Sequence, residues 1–299
     1  MSNIILTVNN LSKKYGKLTA VNSLSFEFKS GEVYGILGPN GSGKTTTLAM
    51  LSDVIRSTAG EYRWFGTKMG SNQRRRLGIM LEKPNFYEYL SGLDNLKIVA
   101  DIRGVAHSEI DDILKQVGLY ERRNSRFKTY SLGMKQRLAI GATILGNPEV
   151  LILDEPTNGL DPEGIAEVRN LIIELANNDK TIILASHLLD EVQKVCTQML
   201  VLKSGNKIYQ GSARGLDKNS QLIEIKAEDI VKLKNALDNS TDYIKYEDNN
   251  DSILVDIGRD KNSADLNSYL HSKGVSLSFL SQKSESLEEN IFDLLKSTK

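Results

Sequence analysis

The segment Gly38-Pro39-Asn40-Gly41-Ser42-Gly43-Lys44-Thr45, continued by Thr46, fits the pattern G-x-x-x-x-G-K-[ST]. Glycines at this spacing let backbone amides turn inward around an anion, and a helix that starts at the last residues adds partial positive charge. Lys44 would reach the β- and γ-phosphates of a nucleotide, and the Thr45 hydroxyl would ligate Mg²⁺. The apolar run Val33–Leu37 precedes the segment and the apolar helical pattern Lys44–Leu51 follows it, which is the strand–loop–helix setting such a loop needs. A second apolar run, Val150-Leu151-Ile152-Leu153, ends in Asp154-Glu155. Carboxylates at the carboxyl edge of a buried strand stand where open α/β sheets bind their ligands. There Asp154 would hold the hydration shell of Mg²⁺, and Glu155 would polarise an attacking water.

The elements that must position these groups follow from the hydrophobic pattern. Short β-branched runs at Ile4–Val8, Leu24–Phe28, Val33–Leu37, Val150–Leu153, Thr181–Ala185 and Met199–Leu202 read as strands, several of them apolar throughout and so buried on both faces. Helical patterns at Lys44–Leu51, Leu132–Leu145 and Glu163–Ala176 alternate with them, which predicts an α/β core with a largely parallel sheet. Between Lys83 and Asn147 the strand signal gives way to helical periodicity at Gly92–Ile102 and Glu109–Val117, an inserted helical subdomain over about residues 83–147. Beyond Gly211 the composition shifts. Residues 212–299 read as strand Leu222–Lys226, helix Asp229–Leu237, strands Tyr243–Glu247 and Ile253–Ile257, helix Ala264–His271, strand Val275–Phe279 and helix Ser286–Leu295, a small α+β domain.

Taken together, residues 1–211 resemble the nucleotide-binding domain of ABC transporters. Tyr15 lies 23 positions before Gly38, where the family stacks an aromatic ring on adenine. Tyr130-Ser131-Leu132-Gly133-Met134-Lys135-Gln136-Arg137 resembles the signature usually read L-S-G-G-Q, departing from it at Tyr130, Leu132 and Met134. The resemblance implies that Ser131 and Gly133 face the γ-phosphate held by an opposing protomer. Pro156-Thr157-Asn158-Gly159-Leu160-Asp161 resembles the D-loop, with Asp161 at its acidic position, and His187 in Ala185-Ser186-His187 matches the switch histidine. In Leu81-Glu82-Lys83-Pro84, Glu82 stands where most members carry glutamine, a variant seen in peptide-antibiotic-resistance and lantibiotic-immunity cassettes. A carboxylate there would ligate Mg²⁺ more strongly than an amide oxygen.

The resemblance further implies a P-loop ABC ATPase core that binds ATP and Mg²⁺, closes head-to-tail with a second copy or a closely related cassette, and drives export of a peptide or amphiphilic substrate through a separate polytopic membrane subunit. The loop after Glu82 then meets that subunit, with Phe86, Tyr87, Tyr89 and Leu90 serving either that groove or the subdomain's own core. The tail resembles the accessory domain of exporter ATPases, serving dimer contact or regulation. A non-transport ABC ATPase of the cluster-assembly type is the competing reading.

Bulk properties narrow the classes. The 299 residues exceed one average domain, and the hydrophobic and charged shares of 40% and 25% are ordinary for a globular chain. Net charge is zero, with 26 basic against 22 acidic residues up to Gly211 and 12 against 16 beyond it, so neither part favours nucleic acid. No run approaches the ~18 apolar residues of a membrane span, and Met1-Ser2-Asn3 opens no signal peptide. The single cysteine, Cys196, suits a reducing compartment. Together these predict a cytoplasmic protein, and the resemblance implies a peripheral place on the inner face of the cell membrane.

Overall fold

In the computed structural model the described residues are 3–81, 85–213, 222–240, 243, 246–249, 251–258 and 261–283. The chain divides into two compact units, Met1–Arg214 and Gly215–Lys299.

The first unit opens with two twelve-residue strands, β1 (Ile4–Tyr15) and β2 (Leu18–Lys29), joined by a tight turn at Gly16. Next come β3 (Val33–Leu37), α1 (Lys44–Leu51), β4 (Ala59–Trp64), the short α2 (Ser71–Arg75) and β5 (Leu77–Met80). Helices α3 (Gly92–Arg103), α4 (Ile110–Gln116) and α5 (Leu132–Ile144) fill the stretch before β6 (Val150–Asp154). The unit closes with α6 (Pro162–Asn177), β7 (Thr181–Ser186), α7 (Leu189–Val195), β8 (Gln198–Lys203) and β9 (Asn206–Ser212).

These strands form two sheets, an antiparallel β2-β1-β4 and a six-stranded β5-β6-β7-β3-β8-β9 that is parallel except for its last strand. Strands β3, β6 and β7 are buried at every residue, which is why their sequences show no alternation. One core joins the two sheets. Phe28 stacks on Tyr34 with ring centroids 3.8 Å apart, and fully buried Trp64 donates its indole N–H to the Leu51 carbonyl at 2.8 Å.

Strands β4, β5 and β9 have no counterpart in the sequence-based reading. Strands β4 (Ala-Gly-Glu-Tyr-Arg-Trp) and β9 (Asn-Lys-Ile-Tyr-Gln-Gly-Ser) are polar and stand at sheet edges, where half the backbone groups face outward and few apolar residues are needed. Strand β5 is only four residues long and also an edge. Partly buried Arg103 at the end of α3 fastens the helical insert to the sheet. Its guanidinium donates to the Ala142, Thr143 and Leu77 carbonyls at 3.2, 3.0 and 2.7 Å, capping α5 and reaching β5 at once. Burial pulls its pKa below the usual guanidinium value.

The second unit runs β10 (Leu222–Ala227), α8 (Ile230–Asp238), β11 (Tyr246–Asn249), β12 (Ser252–Asp256), α9 (Ser263–Ser272) and β13 (Leu277–Lys283). Its strands pair antiparallel in the order β11-β12-β10-β13, the split βαβ arrangement of a ferredoxin-like sandwich. Ile223, Ile225, Ile253 and Val255 from the sheet pack on Leu233, Leu237, Leu266 and Leu270 from the helices. Helix α9 starts in a full capping box between Asn262 and Asp265. The expected helix Ser286–Leu295 lies outside the described residues.

Candidate functional site

Strand β3 delivers the chain into a loop whose glycines are fixed by space as much as by conformation. Gly38 (φ 154°) and Gly43 (φ 102°) both lie in the left-handed half of the map. A methyl group on Gly38 would stand 2.2 Å from the Leu202 carbonyl oxygen, and one on Gly43 would stand 2.6 Å from that of Ala20. The loop therefore closes only with bare backbone at these positions. Helix α1 begins at Lys44, whose side chain is 6% exposed and donates to the Gly38 carbonyl at 2.8 Å.

Strand β6 brings the acidic pair to the same edge. Asp154 is buried at the strand end, and Glu155 follows in a left-handed conformation (φ 48°), its N–H donating to the Ala185 carbonyl of β7. That register carries His187, just past the end of β7, beside Glu155. Glu155 Oε1 lies 3.5 Å from Lys44 Nζ, and Oε2 lies 2.8 Å from His187 Nδ1. One carboxylate thus joins the loop lysine after β3 to the histidine after its neighbour β7.

These groups line a cavity of about 650 Å³ with Tyr15, Leu18, Thr19, Ala20, residues 40–46, Asn158 and Ser204. Of the expected site residues, Tyr15, Asn40, Gly41, Ser42, Gly43, Lys44, Thr45, Thr46, Glu155 and His187 meet here. Gly38 and Pro39 turn their carbonyls to Lys44. The sequence reading missed Leu18–Ala20, Asn158 and Ser204; the first three simply continue the strand-end chain past Tyr15, and a turn residue such as Ser204 carries no local signal.

Ser131, Gly133 and Asp161 line a second cleft of about 480 Å³, with Leu132, Met134, Arg137, Gly159 and Glu163 among its walls. The two clefts share no lining residue. Ser131 caps α5, its Oγ accepting from the Met134 N–H, and Asp161 caps α6, accepting from the Gly164 N–H at 2.9 Å. The departures in the signature have local causes. Buried Tyr130 donates its hydroxyl to the Arg122 carbonyl at 2.8 Å, and Leu132 leans on the D-loop so closely that a methyl on Gly159 would meet it at 3.3 Å.

Glu82 lies outside the described residues. Of the aromatics after it, Phe86 packs edge-on against Phe127 at 5.2 Å, within the insert, whereas Tyr87 and Tyr89 are exposed and 5.9 Å apart. Among the described residues no helix is long and apolar enough to cross a membrane.

Residues 21–158 match the family model described as ABC transporter. The bacitracin transport ATP-binding protein BcrA of Enterococcus faecalis is 40% identical over 222 residues, 73% of this chain and 72% of that protein. The chain belongs to the ABC transporter family. The bacitracin transport ATP-binding protein BcrA of Bacillus licheniformis is 36% identical over 301 aligned positions, 99% of this chain and 98% of that one, so the family likeness extends through both units. Among solved structures, cbiO1 from Clostridium perfringens, part of the ABC transporter complex cbiONQ, superposes with a TM-score of 0.65 at 29% identity, covering 72% of this ABC transporter chain and 90% of its own.

Proposed function

We propose that this chain is the ATP-hydrolysing motor of an ABC exporter, working as a head-to-tail pair bound to a separate polytopic membrane subunit. The observation that carries the reading is the link from Lys44 through Glu155 to His187 at the mouth of the P-loop cavity. Phosphoryl transfer needs positioning and charge neutralisation, and these residues are placed for both. The loop amides and Lys44 hold the triphosphate, Tyr15 stacks on the base, Glu155 takes up a proton from the attacking water, and His187 orients Glu155.

The donors suit Mg²⁺. Thr45 offers a hydroxyl and Asp154 a carboxylate at the strand edge, hard oxygens of the kind Mg²⁺ takes in ones and twos beside phosphates and water. Bound there, Mg²⁺ neutralises charge on the phosphate oxygens. Glu82 is assigned as a further ligand.

Ser131 and Gly133 line a separate cleft on the same chain, so the γ-phosphate of one copy is covered by the signature helix of another. ATP then acts as a ligand of the closed pair, and hydrolysis releases it. The exposed Tyr87 and Tyr89 are assigned to the membrane subunit's docking face. The names of the BcrA relatives favour a peptide antibiotic or similar amphiphile as cargo, and favour transport over cluster assembly.

Mixing two inactive variants tests the shared site. Lys44→Ala and Ser131→Arg are each inactive alone, but a mixed pair contains one site with neither lesion, so part of the ATPase activity returns on mixing with the membrane subunit present. No recovery, with both variants folded and paired, would overturn the head-to-tail assignment.

A further inference from the structure

The hairpin between β8 and β9 turns through Ser204 (φ 48°) and Gly205 (φ 79°), a two-residue turn left-handed at both positions and closed by the Lys203–Asn206 pair. Its tip is docked on the P-loop. The Gly205 N–H donates to the Ser42 carbonyl at 3.0 Å, and the Gly205 carbonyl accepts from the Asn22 N–H at 2.8 Å. The Asn22 side-chain amide donates to Asn206 Oδ1 at 3.0 Å, tying the turn to β2 a second time. Packing leaves no slack: a methyl on Gly205 would lie 2.9 Å from the Ala20 carbonyl oxygen and 3.2 Å from Val21 Cα.

The Ser42 carbonyl and the Gly43 N–H belong to one peptide plane, and in a trans peptide they point in opposite directions. Among the described residues there are no cis peptide bonds. Fastening the carbonyl to Gly205 therefore fixes that peptide plane, with the Gly43 N–H directed away from Gly205, in a stretch of backbone that lines the cavity. A free loop of this glycine content could flip that peptide at little cost.

We infer that the Ser204–Gly205 turn, braced by Asn22 and Asn206, is a positioning element that sets the Gly43 amide as a phosphate donor. The inference rests on the nucleotide-binding reading above and adds residues that the P-loop pattern does not contain. Gly205 touches the loop from a hairpin more than 150 positions away in sequence, and Ser204 beside it lines the same cavity. Asn22 and Asn206 act only through that turn.

The test uses the full chain, with ADP as the probe. Gly205→Ala, in which the new methyl collides with the Ala20 carbonyl, weakens ADP binding about tenfold or more. Asn206→Ala weakens it by a smaller factor, and Asn206→Asp, which keeps the acceptor for Asn22 at 3.0 Å but loses the side-chain donation to the Ser204 carbonyl at 3.1 Å, falls between Asn206→Ala and the parent. In steady state the loss falls mainly on KM for ATP. The diagnostic signature is the amide resonance of Gly43, which moves downfield on ADP binding in the parent chain and moves less in Gly205→Ala and Asn206→Ala. Parent-like ADP affinity and a parent-like Gly43 shift in both variants would overturn the inference. A parent chain that binds no ADP would instead bring down the nucleotide reading itself, and this proposal with it. Should Gly205→Ala fail to fold, the Asn206→Ala and Asn206→Asp pair decides alone.

Discussion

Glu155 Oε2 and His187 Nδ1 lie 2.8 Å apart across the ends of β6 and β7. The contact exists because Glu155 takes a left-handed turn that a helix or strand residue would not take. Glu155→Gln keeps the shape and a polar contact but loses the proton acceptor. Its expected effect is ADP affinity close to the parent's with hydrolysis slowed about 10²–10⁴-fold. His187→Ala slows turnover too, and the loss should not add to that of Glu155→Gln, since one acts through the other. Single-turnover assays on both single variants and the double variant check this.

Tyr15 presents an exposed ring beside Leu18 at the cavity's edge, with the Lys13 ammonium 5.0 Å from its centroid. Stacking a base on an aromatic ring contributes about 1–3 kcal/mol. Tyr15→Ala should therefore raise KM for ATP between about five- and 150-fold, while Tyr15→Phe stays near the parent. A titration with ATP decides.

Glu82→Gln restores the side chain most of the family carries at this register. If the carboxylate is a ligand, the Mg²⁺ concentration for half-maximal ATPase activity rises in the variant. Identical Mg²⁺ curves for the two proteins would dismiss that role.

Arg103 makes three hydrogen bonds to carbonyls from one guanidinium, and a charged donor contributes roughly 1.5–3 kcal/mol per bond at most. Arg103→Met keeps the apolar stem and removes all three, so the first unit should melt several degrees lower, with faster amide exchange at the end of α5. Arg103→Lys should fall between. Calorimetry with hydrogen exchange would show it.

Arg76 grips Glu149 with two bonds, 2.5 and 2.6 Å long, and these hold the Glu149 carboxyl below its usual range. A depressed folded value means the contribution is fully present above the unfolded value of about 4.3 and fades as pH falls through the folded one. The gap in urea midpoint between the parent and Glu149→Gln should thus be widest near neutrality and close in acid. Both groups are half exposed, so the gap is small and shrinks with salt.

The chemistry was more legible than the scaffolding around it. Val33–Leu37 and Val150–Asp154 announce themselves because strands buried on both faces must be apolar at every position. The loop and acid motifs follow directly from them. Ala59–Trp64 and Asn206–Ser212 stayed silent because edge strands draw their pairing from one neighbour and tolerate polar residues. That Leu18 and Ser204 reach the cavity, or that Arg103 stitches α3 to α5, depends on register across distant strands and helices, which local spacing does not encode.

Cys196, the one thiol in the sequence, sits 7% exposed under β3, packed beside Gly35, and burial drives its pKa well above the ordinary thiol value. Maleimides and similar reagents should pass it by while the fold is intact. Reporter groups can therefore be installed at chosen surface positions on the native background, without first constructing a cysteine-free parent. Should Cys196 begin to react, the cause is an opened sheet, so the same atom doubles as an internal alarm for sample decay.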